Sequence, residues 1–266
     1  FRKYLLWEGT GKMNLTGYNA GDFSINAKVR LSVYPVKEGI HLTGKLKIAS
    51  TTPDLFNSYY YSNHFFWENN FGKSTETRVE AFLDIPKVKL QAFFGYSLLN
   101  NYIYYNNLGD ATQSGSLLNV MSASVKLDFR LWKLHFNNRV LLQLSSEQDV
   151  MPLPLLSANL RYFFQFNLVK NVMTVQLGAD VIYHTKYFAP SYNPALGQFH
   201  TQNERKMGAT PYIDPFVNIQ WKKASIFVKY MNIAQGWPNG DYFSANHYTM
   251  PVKAIQFGIN WPFYIK

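Results

Sequence analysis

The 266-residue sequence contains no cysteine, which excludes both a disulfide framework and thiol chemistry. It also lacks any run of about 18 or more apolar residues, and a transmembrane helix is therefore excluded. Acidic residues are few: 16 aspartates and glutamates stand against 26 lysines and arginines, which gives a formal net charge of +10. Aromatic residues, in contrast, are plentiful. The 21 Phe and 19 Tyr form a bias typical of β-strands and of the aromatic belts at membrane surfaces.

A positive charge of this size can indicate nucleic-acid binding, which needs basic residues clustered in one patch. Here the basic residues occur singly, at alternate positions of strand-like segments. This distribution argues against a nucleic-acid partner. It indicates instead a hydrated, basic surface to which many strands contribute.

The strongest pattern is an alternation of apolar and polar residues that repeats along the whole chain. Residues 23–33 place Phe, Ile, Ala, Val, Leu and Val on one face and Ser, Asn, Lys, Arg and Ser on the other. A tilted strand of about 11 residues is long enough to cross a bilayer. With this segment, about twelve strands are predicted, the others lying near residues 5–15, 40–48, 76–83, 88–98, 121–131, 134–144, 156–168, 173–181, 213–221, 226–230 and 255–263.

The connections between the predicted strands alternate between short and long. Tight turns are expected at Pro35–Gly39, Ile85–Pro86, Trp132–Lys133, Lys170–Asn171 and Lys222–Lys223. Long, loop-like segments are expected at Thr51–Gly72, Tyr104–Leu117, Ser146–Leu155, Lys186–Pro211 and Ala234–Met250. Short turns on one side and long loops on the other are the arrangement of outer-membrane β-barrels. No linker or domain boundary interrupts residues 1–266, so we expect one all-β domain, an antiparallel transmembrane β-barrel.

A soluble β-sandwich also alternates apolar and polar residues, so it is the main alternative fold. Sandwich strands are typically about 5–6 residues long, and several of the predicted strands are longer than that. The polar face also carries charges at mid-strand, as at Lys28, Arg30, Lys126 and Asp128. Such charges are costly in a dry core but are readily hydrated in a water-filled barrel, which favours the barrel.

The polar face is where a pore would act on its solute. The predicted lumen wall consists of Lys28, Arg30, Lys45, Lys47, Lys87, Lys89, Lys126, Asp128, Arg130, Arg139, Arg161 and Lys229. Basic residues outnumber acids on this face, and a ring of positive side chains favours anions. The same charges could instead pair with acids across strands and only hold the wall together.

The C-terminal residues resemble a known family. Phe257, Ile259, Trp261 and Phe263 alternate along a last strand that ends on aromatics, as in the signal that the barrel-assembly machinery recognises. Together with Gly240-Asp241-Tyr242, Asn246-His247-Tyr248 and Pro251, this segment is similar to the C-terminal region of the Bacteroidetes family named putative porins. The resemblance implies an integral outer-membrane pore of undefined substrate, without catalytic residues. Because members of that family are longer, we expect the chain to be the C-terminal portion of a longer protein.

Enzymatic and metal chemistry find little support in the sequence. The six histidines, His41, His64, His135, His184, His200 and His247, are scattered and form no metal-binding motif. No nucleophile elbow, phosphate-binding loop or dinucleotide-binding motif is present. Asn138 is the one conspicuous polar residue on the apolar face, and its own strand offers no outward Ser or His for a lipid-hydrolase triad. We therefore expect no enzymatic activity and no cofactor.

Three functions remain open. The first is a porin that lets small polar or anionic solutes diffuse across the outer membrane. The second is a structural or accessory barrel in a larger outer-membrane complex, without an open pore of its own, since an apolar face fits protein as well as lipid. The third is a soluble carbohydrate-binding β-protein. For the first two, the expected partners are outer-membrane lipid, the barrel-assembly machinery and, for the accessory barrel, other outer-membrane proteins.

Overall fold

The fold, taken from a computed structural model that describes residues 3–238 and 243–262, is almost entirely β. The strands are β1 (Leu5–Met13), β2 (Phe23–Val33), β3 (Ile40–Thr51), β4 (Tyr59–Tyr61), β5 (Phe66–Glu68), β6 (Ser74–Ile85), β7 (Leu90–Asn100), β8 (Ile103–Tyr105), β9 (Ala111–Gln113), β10 (Leu118–Leu131), β11 (Leu134–Ser145), β12 (Leu156–Val169), β13 (Met173–His184), β14 (Ser191–Asn193), β15 (Gln198–His200), β16 (Tyr212–Trp221), β17 (Ala224–Met231), β18 (Phe243–Ala245), β19 (Tyr248–Thr249) and β20 (Ala254–Asn260). A single helical turn, α1 (Leu55–Ser58), and a 3-10 turn at Pro86–Val88 complete the elements. Across the described residues, no helix has the length and apolarity to span a bilayer.

Twelve strands form one antiparallel sheet in the order β1-β2-β3-β6-β7-β10-β11-β12-β13-β16-β17-β20. Each strand pairs with the next long strand along the chain, so the sheet is a simple meander. The prediction of an all-β antiparallel fold with about twelve long strands is confirmed. β1 and β20 are the two edges, and no ladder joins them within residues 3–238 and 243–262.

In a soluble protein the apolar face of a sheet is buried and the polar face is exposed. In this sheet the exposure of the two faces is reversed. In β2 the apolar residues Ile25, Val29 and Leu31 are exposed, whereas Lys28 and Arg30 on the other face are half-buried. The same reversal recurs along the sheet, where many outward valine, leucine and phenylalanine side chains are exposed. Because the apolar face of this sheet is the exposed one, that face needs an apolar environment.

The sheet is curved, because residues from distant strands share one cavity. The lining of a cavity of about 1020 Å³ includes polar-face residues of eight successive strands, from β2 to β13. In a flat sheet those two strands would lie about 34 Å apart at the usual strand spacing. The strands therefore wrap around the cavity, and the polar face is the concave one.

The connections follow the predicted alternation. On one side lie the short turns 34–39, 86–89, 132–133, 170–172 and 222–223. On the other lie six longer loops: L1 (14–22), L2 (52–73), L3 (101–117), L4 (146–155), L5 (185–211) and L6 (232–253). The expectation of long loops without regular structure was incomplete. L2, L3, L5 and L6 each contain a short hairpin, β4–β5, β8–β9, β14–β15 and β18–β19.

Candidate functional site: the concave face and the loop layer

Two neighbouring cavities on the concave face bring charged side chains together. The larger holds about 1020 Å³ and includes Lys28, Arg30, Lys45, Lys126 and Arg139 in its lining. A second cavity of about 540 Å³ lies farther along the sheet and is lined by residues of β11, β12, β13, β16 and β17. Polar and charged side chains from β2 to β17 thus face the concave side of the curved sheet.

Cations near the β1 edge are balanced by glutamates. Lys28 and Lys45 lie directly opposite each other on β2 and β3, and they are flanked in the same row by Glu8 and Glu80. The Lys28–Glu8 distance is 3.5 Å and the Lys45–Glu80 distance is 3.9 Å. The row therefore carries two positive and two negative charges and has no net charge.

The two cations of the next row also contact carboxylates. Lys47 and Arg78 are register partners on β3 and β6. Both contact Glu76, at 2.7 Å and 2.6 Å respectively, and Arg78 also lies 3.8 Å from Glu80. These cations serve the wall itself, which matches the expectation that some charges pair across strands.

A second ionic network lies on β12, β13, β16 and β17. Asp180 and Asp214 are register partners, and Lys229 lies 3.3 Å and 2.8 Å from their carboxylates. Arg161 adds a contact of 3.6 Å to Asp180, and the backbone N–H of Asn232 donates to Asp214 at 2.7 Å. Two adjacent carboxylates are thus held by two cations and a backbone donor.

The remaining predicted wall cations make no ion pair within the described residues: Arg30, Lys87, Lys89, Lys126, Arg130 and Arg139. Lys87 and Lys89 lie in the 86–89 turn and not on a strand, so they stand at the rim of the wall. Arg130 lies at the β10 end near the 132–133 turn. Asp128 lies between Lys126 and Arg130 on β10, and one of its carboxylate oxygens is buried without a hydrogen-bond partner.

Phenylalanines on the concave face were not predicted as wall residues. Phe163 lies directly opposite Gly178 on the neighbouring strand, and a Cβ at Gly178 would lie 2.5 Å from the Phe163 Cβ and would also meet the carbonyl oxygen of Tyr162. At Gly258 the neighbour is an aromatic ring, since a Cβ there would meet ring atoms of Phe227 on the adjacent strand. The Phe227 ring lies along the wall, where the missing glycine side chain leaves room for it. Sequence alternation could not predict these two pairs, because each depends on the residue opposite in the next strand.

Cations lie over two other phenylalanine rings, those of Phe216 and Phe82. The Arg161 guanidinium is 4.5 Å from the Phe216 ring centroid, and the Lys45 ammonium is 4.3 Å from that of Phe82. The His135 ring stacks on Phe163 at 4.6 Å. The concave face thus combines charged and aromatic groups, and the attraction between a cation and an aromatic face helps to hold these side chains in place.

Loops that leave the sheet at distant strands meet in an apolar cluster. Trp67 of L2, Ala111 of L3 and Leu196 of L5 are buried together, with Phe65 and Tyr105 packed against them. L2 and L5 leave the sheet six strands apart. Their contact means that the loops extend over the mouth of the concave face and pack against one another there. We call this assembly of L2, L3 and L5 the loop layer.

Hydrogen bonds connect the loops further. The Tyr105 hydroxyl donates to Asn57 at 2.8 Å, and the Thr201 backbone N–H donates to the Tyr105 carbonyl at 2.9 Å. The side chain of Gln113 in L3 accepts from the Gly72 N–H at 3.0 Å and donates to the Gly72 carbonyl at 2.8 Å. Burial, with a smaller contribution from Asp54, raises the pKa of Tyr105. The layer is a packed and hydrogen-bonded structure.

Asp22 ties L1 to L2. Its carboxylate accepts hydrogen bonds from the backbone and hydroxyl of Thr52, at 2.9 and 2.6 Å, and from the Lys73 ammonium at 2.8 Å. Partial desolvation acts to raise the pKa of Asp22, but the hydrogen bonds from Lys73 and Thr52 outweigh it and hold the pKa below its ordinary value. The charged form of Asp22 is therefore the one that joins the two loops.

The predicted assembly signal is placed only in part. Phe257 and Ile259 lie on the outward face of β20 and are highly exposed, as is Trp261 just after it. Phe263 lies outside the described residues, as do Gly240, Asp241 and Tyr242 of the family-like segment. This signal stays a prediction.

The polar outward residue Asn138 has partners that its own strand did not reveal. Tyr162 on β12 donates its hydroxyl to the Asn138 amide oxygen at 2.8 Å, and the Asn138 amide donates to the Leu127 carbonyl at 3.1 Å. Asn138 is therefore satisfied within the sheet. Over the described part of the chain, no three His, Asp or Glu residues lie close enough to hold a metal ion.

Comparison with known proteins identifies the family to which the chain belongs. No curated protein matches the chain. A family model described as "Putative porin" matches residues 1–264, nearly the whole sequence. Such a family suggests an outer-membrane location and a porin-like role, with which the all-β fold agrees. The chain belongs to this porin family.

Proposed function

We propose that the twelve-stranded sheet is the wall of a closed β-barrel in the bacterial outer membrane, and that small polar or anionic solutes diffuse through it. The observation that carries the proposal is the inverted exposure of the two faces: apolar side chains stand open on the convex face, and charged side chains surround the cavity on the concave face. Lipid on one side and water on the other satisfy both.

Closure follows from the environment that the convex face requires. In the hydrocarbon region, unpaired backbone N–H and C=O groups cost several kcal/mol each, on the order of a full hydrogen bond. The edges β1 and β20 must therefore pair, with each other or with additional strands. Cysteines placed in β1 and β20 would form a disulfide in membranes if the two strands pair directly, and would stay reduced if other strands lie between them.

Only the wall cations without an ion pair are free to attract an anionic solute. Near β1 and around β13 most of the wall cations form ion pairs with carboxylates. Arg30, Lys126 and Arg139 keep their charge toward the large cavity. A mild preference for anions is the expected consequence.

Conductance in planar bilayers under asymmetric KCl tests the proposal. We expect discrete openings and a reversal potential displaced toward the chloride equilibrium potential. Cation selectivity would defeat the anion preference, and the absence of any conductance from correctly inserted protein would defeat the pore.

The accessory barrel is the second candidate, and the loop layer favours it. Loops that meet over the mouth narrow the route into the cavity from that side. If the protein is a subunit of a larger complex, purification from native membranes in mild detergent should yield partners at fixed stoichiometry. An isolated, conducting protein would support the porin.

Under both candidates the chain acts on no covalent bond, needs no cofactor and binds no nucleic acid. Its partners are outer-membrane lipid and, during biogenesis, the barrel-assembly machinery, to which the last strand with Phe257 and Ile259 would be presented. Replacing both residues by serine should reduce the amount of inserted protein in membranes, whereas serine at exposed Leu55 and Phe66 in L2 should not.

A further inference from the structure

We propose that Gln91, Lys126, Arg139 and Asn159 form a binding site for a small oxyanion, a phosphate- or carboxylate-bearing solute. The proposal rests on the porin function and gives it a solute class. The four residues occupy one row across β7, β10, β11 and β12: Lys126 is the register partner of both Gln91 and Arg139, and Arg139 is also the partner of Asn159. All four line the cavity of about 1020 Å³.

The two cations in this row repel each other. Directly opposite side chains in an antiparallel sheet have Cβ atoms about 4.5–5.5 Å apart, and like charges at this distance are destabilising. Neither Lys126 nor Arg139 forms an ion pair within residues 3–238 and 243–262. An oxyanion between them would replace the repulsion by two charge-assisted hydrogen bonds.

The same sheet contains a second pair of directly opposite cations, whose neighbours in the row are different. Lys28 and Lys45 are also register partners on the concave face and line the same cavity. Glu8 and Glu80 flank that pair in its row, whereas the amides of Gln91 and Asn159 flank Lys126 and Arg139. Glutamates cancel charge, and amides can donate further hydrogen bonds to an oxyanion. Only the second row is built to receive an anion from outside.

The other charged groups around the site leave it positive. Asp84 lies one strand beyond Gln91 and accepts a hydrogen bond from it at 3.4 Å. Asp128 is on the same face of β10 as Lys126 but makes no ion pair with it in the described chain. Arg30 faces the cavity from β2, and His184 from β13.

Anion binding to purified protein in detergent, at pH 7.5 and low ionic strength, tests the site. Inorganic pyrophosphate should raise the unfolding temperature of the wild type and of the control K28Q/K45Q. In K126Q/R139Q the affinity should fall about tenfold or more, because two charged hydrogen-bonding groups are lost. Without anion, the K126Q/R139Q variant should unfold no earlier than the wild type, since the substitution removes a repulsion. Acetate at matched concentrations distinguishes a carboxylate site from a phosphate site.

A wild type whose stability responds to neither pyrophosphate nor acetate would overturn the site, and so would an equal loss of response in both double variants. Bilayer recordings on the same proteins separate this proposal from the pore. Conductance without anion binding would reject the site and keep the pore. Anion binding that is lost only in K126Q/R139Q, without conductance, would keep the site and reject the pore.

Discussion

The wall and the loop layer are stabilised in different ways. Apolar residues of the wall are largely exposed, and six of the ten most buried apolar residues of the described chain lie in loops: Trp67, Ala111, Ala189, Leu196, Met207 and Ala234. The loops therefore contain a small core of the kind found in soluble proteins. The wall has a hydrogen-bonded ladder and an apolar outer surface that needs an apolar environment. The stability of the two regions should therefore respond differently to the same kind of substitution.

The largest effect is expected in the loop layer. Trp67 is 6% exposed, and its indole N–H donates to the Phe56 carbonyl at 3.0 Å. Trp67→Ala should destabilise the packed loops locally by about 3–5 kcal/mol, the usual cost of deleting a buried tryptophan side chain. Limited proteolysis should then cut L2, L3 and L5 at lower protease concentration while the wall remains intact. The neighbouring Phe66 is 75% exposed and offers the control: Phe66→Ala should leave the cleavage pattern unchanged.

In the wall, the two faces can be compared at adjacent positions. Val125 lies on the exposed convex face of β10, and Ser124 lies on the concave face and lines the cavity. Val125→Arg should destabilise the membrane-inserted protein by about 2–4 kcal/mol, because an arginine must enter lipid near mid-strand. Ser124→Arg should have little effect on stability, since its charge reaches water. Unfolding by urea in lipid vesicles measures both, and equal losses would contradict the assignment of faces.

Close packing inside the wall is tested at a glycine. Gly178 faces Phe163 across β12 and β13, and a methyl group there would meet both the Phe163 side chain and a backbone carbonyl of β12. Gly178→Ala should cost about 1–3 kcal/mol, because part of the obstruction is backbone and cannot rotate away. Gly44 has open space around its Cβ position, so Gly44→Ala should be close to neutral. The same vesicle unfolding assay measures the two variants.

A smaller, pH-dependent effect is expected where L1 meets L2. The pKa of Asp22 is lowered in the folded protein, so its contribution to stability is complete above the unfolded carboxyl value of about 3.9 and is lost as the pH falls through the folded value. Protease cleavage of L1 and L2 should therefore increase below about pH 4. In Asp22→Asn, cleavage should already be raised at neutral pH, and the acid step should be smaller. The exposed loop acid Asp149 provides a control that should leave the acid step unchanged when replaced by asparagine.

The long strands could be predicted from the sequence because alternation is a local property: β2 reads correctly from residues 23–33 alone. The weaker segments were also found, and the strands at Tyr212–Trp221 and Ala224–Met231 differ from the predicted bounds by only a few residues. The sorting of short turns and long loops followed from the same pattern.

Features that depend on register could not be predicted. Whether a wall cation is free or paired depends on its cross-strand neighbours, such as Glu8 beside Lys28 or Asn159 beside Arg139. The packing of Phe163 on Gly178 has the same origin. The loop layer depends on contacts between segments far apart in the chain, such as Tyr105 with Asn57, and its three-residue strands are too short to show a period.

Single-cysteine labelling along β10 tests the central claim, a wall with lipid on one face and water on the other, most directly. Because the chain has no cysteine, each variant carries one reactive group. In outer-membrane vesicles, cysteines at Ser122 and Ser124 should react with a water-soluble, charged thiol reagent, and cysteines at Met121 and Val125 should react only with a lipid-soluble one. Equal labelling of all four positions by the charged reagent would contradict the account.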